Sequence, residues 1–75
     1  MAVDDSSRLA VADESAGTLW LLDPAGRTLG VRSGLAAPRS LAFAPDGTLL
    51  VAEAAAGRVR RFVLEPAGTI APPER

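Results

Sequence analysis

Apolar residues along this chain come in short runs broken by small and polar residues, and no segment carries a convincing helical period. Short apolar runs bounded by Gly, Pro, Asp and Ser read as β-strands. The pattern predicts strands near residues 2–4, 8–12, 18–22 and 28–32, then near 40–44, 48–52, 58–64 and 69–71. Between them lie turn residues. Pro45-Asp46-Gly47-Thr48 is the strongest: Pro presets φ, Asp bonds its own backbone, and Gly accepts a positive φ. Asp5-Ser6 and Ser6-Ser7 do the same task less strongly, and Gly17, Gly26, Gly57 and Gly68 mark the other turns. Ala54-Ala55-Ala56 favours helix, but it sits between Glu53 and Gly57 and is expected to be a loop. The Pro72-Pro73 pair predicts that the last strand stops there.

The stretch PRSLAFAPDGTLLVAE, from Pro38 to Glu53, departs from the usual surface hairpin. A strand with one solvated face alternates apolar and polar residues. Here Leu41, Phe43, Leu50 and Ala52 are expected on one side, and Ala42, Ala44, Leu49 and Val51 on the other. Both sides are apolar, so the hairpin is expected to be covered on both faces.

The chain also repeats itself. Moved by forty residues, residues 2–22 fall on residues 42–62. Val11-Ala12-Asp13 meets Val51-Ala52-Glu53, Ala16-Gly17 meets Ala56-Gly57, and Leu19 meets Val59. Pro-Ala-Gly recurs at Pro24 and Pro66, an offset of forty-two, so the second copy carries a two-residue insertion. Four antiparallel strands about every forty residues is the footprint of a propeller blade. Blades stack face to face, which would cover the hairpin on both sides. The expected fold is therefore all-β: two four-stranded antiparallel propeller blades, residues 1–35 and 36–75, forming part of a six-bladed β-propeller. The rival reading is a free-standing eight-stranded sandwich or barrel, which explains the strand count but not the repeat.

Composition narrows the chemistry. There is no Cys and no His, so there is no disulfide, no thiolate metal site and no imidazole base. Any metal would sit on Asp, Glu or backbone oxygens, which favours calcium; no cofactor is expected. Net charge is −1 and the only basic cluster is Arg58, Arg60 and Arg61, which gives no nucleic-acid stripe. At 48% hydrophobic residues the chain is too apolar for disorder, yet no run approaches a membrane span. The start MAVDDSSRLA lacks the features of a signal peptide, which predicts a cytoplasmic protein or a piece of a longer one. All eight basic residues are Arg and there are 15 Ala, as expected of a GC-rich bacterial genome.

The stretch PRSLAFAPDGTLLVAEAAAGRVRRF resembles the repeats of the NHL and gluconolactonase-like (senescence-marker, strictosidine-synthase-like) six-bladed propellers. The matching residues are Pro38, Leu41, Phe43, Asp46, Gly47, Val51, Ala52, Glu53, Gly57, Arg58, Val59 and Phe62. The first copy matches through Val11, Ala12, Asp13, Gly17, Leu19, Trp20 and Asp23-Pro24-Ala25-Gly26. The resemblance implies the propeller fold and, in the lactonase group, a divalent metal above the channel held partly by Asn or Asp. Here the corresponding position holds Arg39, the next holds Ser40 rather than Gly, and the sequence has no Asn. A complete lactonase site is not expected within these residues.

The loops expected at the wide mouth are residues 13–17, 34–40 and 53–57. Their polar groups, Asp13, Glu14, Arg39, Ser40 and Glu53, are the candidate ligand-binding residues; no catalytic or metal residue is assigned. Asp13 and Glu53 occupy equivalent repeat positions. A carboxylate ring for calcium or a polar ligand is one reading; the favoured one is that each acid bonds the amides of its own loop. Arg39 reads either as an anion clamp or, preferably, as the ion-pair partner of Glu53, with Ser40 opposite Glu53 across the hairpin. Arg58, Arg60 and Arg61 read as a solvated strand face. Trp20 is expected to pack between blades rather than to stack a ligand. Without His, a serine nucleophile has no base.

Two blades do not close a ring. Either the residues belong to a longer propeller, or copies associate, with three copies closing a six-bladed ring. The expected role is a binding scaffold for a protein or small ligand, not an enzyme in itself. The alternative is a fragment of a metal-dependent gluconolactonase-like hydrolase whose catalytic residues lie elsewhere.

Overall fold

A computed structural model describes residues 2–4 and 6–72. Asp5 of the first predicted turn and Pro73 of the final stop lie outside the described residues. The chain forms eight strands: β1 (Ala2–Val3), β2 (Leu9–Asp13), β3 (Thr18–Leu22), β4 (Thr28–Arg32), β5 (Pro38–Phe43), β6 (Leu49–Glu53), β7 (Arg58–Leu64) and β8 (Ile70–Ala71). They make two four-stranded antiparallel sheets, ordered β1-β2-β3-β4 and β5-β6-β7-β8. No described residue is helical, and Ala54–Gly57 is a turn, as expected.

Turn chemistry sets the strand ends. Four turns share one hydrogen-bond pattern, starting at Asp4, Asp23, Ala44 and Glu65. In each, the first residue's amide donates to the carbonyl four residues on, and the fourth residue's amide donates back to the first carbonyl. This is the three-residue hairpin loop, a type I turn closed by one left-handed residue. That left-handed position holds Ser7 (φ 65°), Gly26 (90°), Gly47 (88°) and Gly68 (106°). Asp4 and Asp23 each accept two backbone N–H groups of their own turn, and Asp46 accepts the Thr48 amide and hydroxyl. The turns at Asp23 and Glu65 are forty-two residues apart, which places the insertion where β7 is two residues longer than β3.

The register repeats as well. Val3↔Leu9, Val11↔Trp20 and Asp13↔Thr18 in the first sheet become Phe43↔Leu49, Val51↔Arg60 and Glu53↔Arg58 in the second. Every such pair moves by forty residues. Side chains at alternate positions share a face, so each sheet has two faces that can be matched residue by residue.

The core lies between the sheets. Ala10, Leu19 and Leu21 of the first meet Leu49, Val51, Phe62 and Ile70 of the second, with Leu35 of the connection beside them. Burying each large apolar side chain contributes roughly 1.5–3 kcal/mol. Polar ties join the same interface. Arg8 Nη1 donates to the Glu65 carbonyl (3.2 Å), Arg32 Nη1 to the Ile70 carbonyl (3.2 Å), and the Leu35 amide to the Gly17 carbonyl (3.0 Å). Arg32 and Arg60 place their guanidinium carbons 5.3 and 4.8 Å from the centre of the buried Phe62 ring. At Gly30 the first sheet touches the Gly68 carbonyl, so closely that a Cβ would have no room.

The hairpin at residues 38–53 differs from expectation. The loop holds one residue more than a two-residue turn, which shifts the register. Leu41 pairs with Val51, Ala42 with Leu50 and Phe43 with Leu49. Leu41, Phe43, Leu49 and Val51 therefore share the face toward the first sheet. Ala42, Leu50 and Ala52 share the other face, against which no other described strand packs. Trp20 likewise lies on the outer face of the first sheet, 39% exposed, rather than between the sheets.

Candidate functional site

The connections 13–17, 33–37 and 53–57 meet at one end of the two sheets, opposite the four matched turns. Three hydrogen bonds fasten them: Leu35 N–H to Gly17 O (3.0 Å), Ala54 N–H to Ala37 O (2.9 Å) and Ala55 N–H to Ala36 O (3.1 Å). The five candidate residues all lie at this end, but in separate small constellations.

Glu53 is the centre of the first. Its side chain is fully buried where β6 ends, the only buried charged residue among those described. Oε2 accepts the Ala36 amide (2.8 Å) and, at 3.5 Å, Arg60 Nη1; Oε1 accepts Arg58 Nε (2.8 Å). Burial pushes this carboxyl up. The Ala36 amide and the Arg58 and Arg60 guanidiniums outweigh it, and the net shift is downward. An ionised carboxylate with both oxygens engaged is a poor proton acceptor, and its burial closes it to a ligand. Glu53 clasps the connection between sheets to the second hairpin. Its partner at the backbone is Ala36, not an amide of its own loop, which corrects the expected local role.

Arg39 turns away from Glu53. A register irregularity between Pro38 and Ser40 puts Pro38 opposite Glu53 and Ser40 opposite Ala52. Arg39 instead reaches Glu14, whose Oε2 accepts from Nη2 (2.8 Å) and Nε (3.2 Å). Glu14 holds the Arg39 proton more tightly than usual. Both side chains are largely exposed, so water and salt screen the pair. Asp13 behaves as expected: its Oδ1 accepts the Ala16 amide at 3.1 Å, shaping its own turn. Ser40 is exposed.

Arg58 and Arg60 depart from the solvated strand face expected of them. Arg61 is exposed, but Arg58 and Arg60 bond Glu53, and Arg60 also covers Phe62. The signal was available in the repeat: Glu53 and Arg58 close the hairpin at Gly57, and Arg60 is the next residue on the same face.

Among the described residues, no group of three or more Asp and Glu gathers as a metal-binding cluster. A cleft at the opposite end, lined in part by Asp4, Ser6, Arg8, Phe43 and Pro45, is also self-contained, since Asp4 Oδ2 bonds Arg8 Nε at 2.7 Å. No described helix is long and apolar enough to cross a membrane. What the candidate end offers a partner is a small polar surface made of the Arg39–Glu14 pair, Ser40 and Asp13. Comparison with protein-family models, with curated proteins and with solved structures finds no match to this chain.

Proposed function

We propose that this chain is a β-propeller repeat module of two blades that acts as a binding scaffold and becomes a closed ring through copies of itself. One observation carries the reading: the first three strands of the two sheets repeat at a forty-residue offset, yet the outward faces of both sheets remain apolar. A free-standing sandwich places polar residues on its outer faces. Here Val3, Trp20 and Val31 are exposed on one side, and Val59 and Val63 on the other. Apolar surface of that kind marks an interaction site. Three copies supply six sheets, a number within the propeller range. The end bearing Asp13, Glu14, Arg39 and Ser40 then faces the ring's mouth and meets a polar ligand or protein. The candidate residues include no His and no Cys, the side chains most often used as base or nucleophile near neutral pH, which favours binding over catalysis.

The test is the solution mass of the purified chain by light scattering on a sizing column. A sharp species near three times 7.7 kDa is the expected result. A folded monomer overturns the ring and restores the sandwich.

A further inference from the structure

The two sheets do not meet as mirror partners. By the forty-residue match, Leu41, Phe43, Leu49, Val51 and Phe62 of the second sheet are equivalent to positions 1, 3, 9, 11 and 22 of the first. The former group faces the first sheet, whereas described Val3, Leu9, Val11 and Leu22 point outward, on the same face as Trp20 and Val31. Conversely, Ala10, Ala12 and Leu19 face the second sheet, while their equivalents Leu50, Ala52 and Val59 point outward. The front of one sheet therefore packs on the back of the one before it. The chain ends with one free front and one free back, the two halves of a contact it already makes once.

From this we propose that a second copy of the chain docks front to back, its Val11–Trp20–Val31 row against the Leu50–Ala52–Val59 surface, continuing the internal interface. The inference rests on the self-assembling reading above and names the surfaces it uses. Size supports it. The molecule measures 30 × 26 × 16 Å. Two sheets stacked about 10 Å apart account for the short axis, so the broad sides are the two free faces. A face 30 by 26 Å across is of the size order of the ~800 Å² that a standard interface takes from each partner. Chemistry supports it too. Val31 and Val59 are 52% and 67% exposed, and among the described residues neither outer face carries an ion pair that docking would have to break. Arg61, on the back, lies near Asp46 at the edge, where its stem can cover the sheet while its charge stays wet. The contact is heterologous, so it generates a ring where its rotation closes and an open stack where it does not, rather than a two-fold dimer.

Complementation tests this directly. Trp20→Glu blocks the front and Val59→Glu blocks the back. Each variant alone should run as a folded monomer, its self-association weakened at least tenfold. Mixed, they should form a one-to-one dimer through the two intact faces. Trp20 is the only Trp, so the Trp20→Glu chain is dark and the Val59→Glu chain reports alone. Its emission should shift to the blue on mixing. If Trp20→Glu does not fold, Val31→Glu blocks the same face at a more exposed site, and mass reports the dimer. An assembled wild type whose variants fail to complement overturns the front-to-back contact and leaves the ring reading intact. A Val59→Glu chain that still dimerises shows front-to-front pairing and also overturns it. A monomeric wild type overturns both.

Discussion

Asp13 and Glu53 stand at the same position of equivalent strands, and they do different work. Asp13 caps its own turn in water. Glu53, one methylene longer, is buried beneath the connection 33–37 and joins it to Arg58 and Arg60. The difference is the neighbour. The second sheet has the first in front of it, and among the described residues no strand lies in front of the first. Leu22 and Phe62 repeat the lesson: the same place, partly exposed in one and fully buried in the other. Repeat position fixes where a side chain points; the adjoining sheet decides whether it carries stability.

The strongest way to break this contrast is to truncate both apolar equivalents. Phe62→Ala should cost about 3–5 kcal/mol, whereas Leu22→Ala should cost about 1 kcal/mol in the isolated chain. Urea denaturation at low protein concentration measures both. Similar costs would mean that Leu22 is covered in solution. Next come the acids. Glu53→Ala leaves the Ala36 amide without its acceptor and should cost about 2–4 kcal/mol. Asp13→Ala should cost less than about 1 kcal/mol.

Acid sharpens the same pair. The Glu53 pKa is lowered in the fold from its ordinary 4.5. Its ionic contribution is therefore complete above that value and is lost as pH falls through the lower, folded value. The stability gap between wild type and Glu53→Gln should be flat near neutrality and close progressively below pH 4.5. The turn acids Asp4, Asp23 and Asp46 are lowered too, but they remain in the variant and cancel in the difference. A gap independent of pH would remove the ionised clasp from the account.

The smallest contrast is in the turns. Ser7 holds a left-handed conformation that Gly47 occupies in the second sheet. Ser7→Gly should raise stability by up to about 1 kcal/mol and Gly47→Ala should lower it by about as much, which thermal melts resolve. If Ser7→Gly destabilises, the two turns are not equivalent.

Strands, turns and the forty-residue match were legible because each depends on local chemistry: apolar runs, Pro-Asp-Gly, and Gly at positive φ. All eight strands stand within two residues of their expected ends. The hairpin faces were not legible. A single additional loop residue, with Gly47 left-handed, moves every cross-strand pair by one and exchanges the partners of Leu41 and Phe43. The irregularity after Pro38 likewise sends Arg39 to Glu14. The burial of Glu53 depends on Ala36, seventeen residues away, and no local pattern encodes that distance. The candidate residues were brought to one end of the molecule, but their partners had to be seen.

Front-to-back packing also bears on how such a chain grows by descent. A face that fits only its own mirror partner makes one pair and stops. A sheet whose front fits its own back carries both halves of the contact in one stretch of gene. Tandem duplication then lengthens the stack without any new complementary surface having to arise. Each copy is then free to change wherever only water faces it and is held wherever a neighbour touches it.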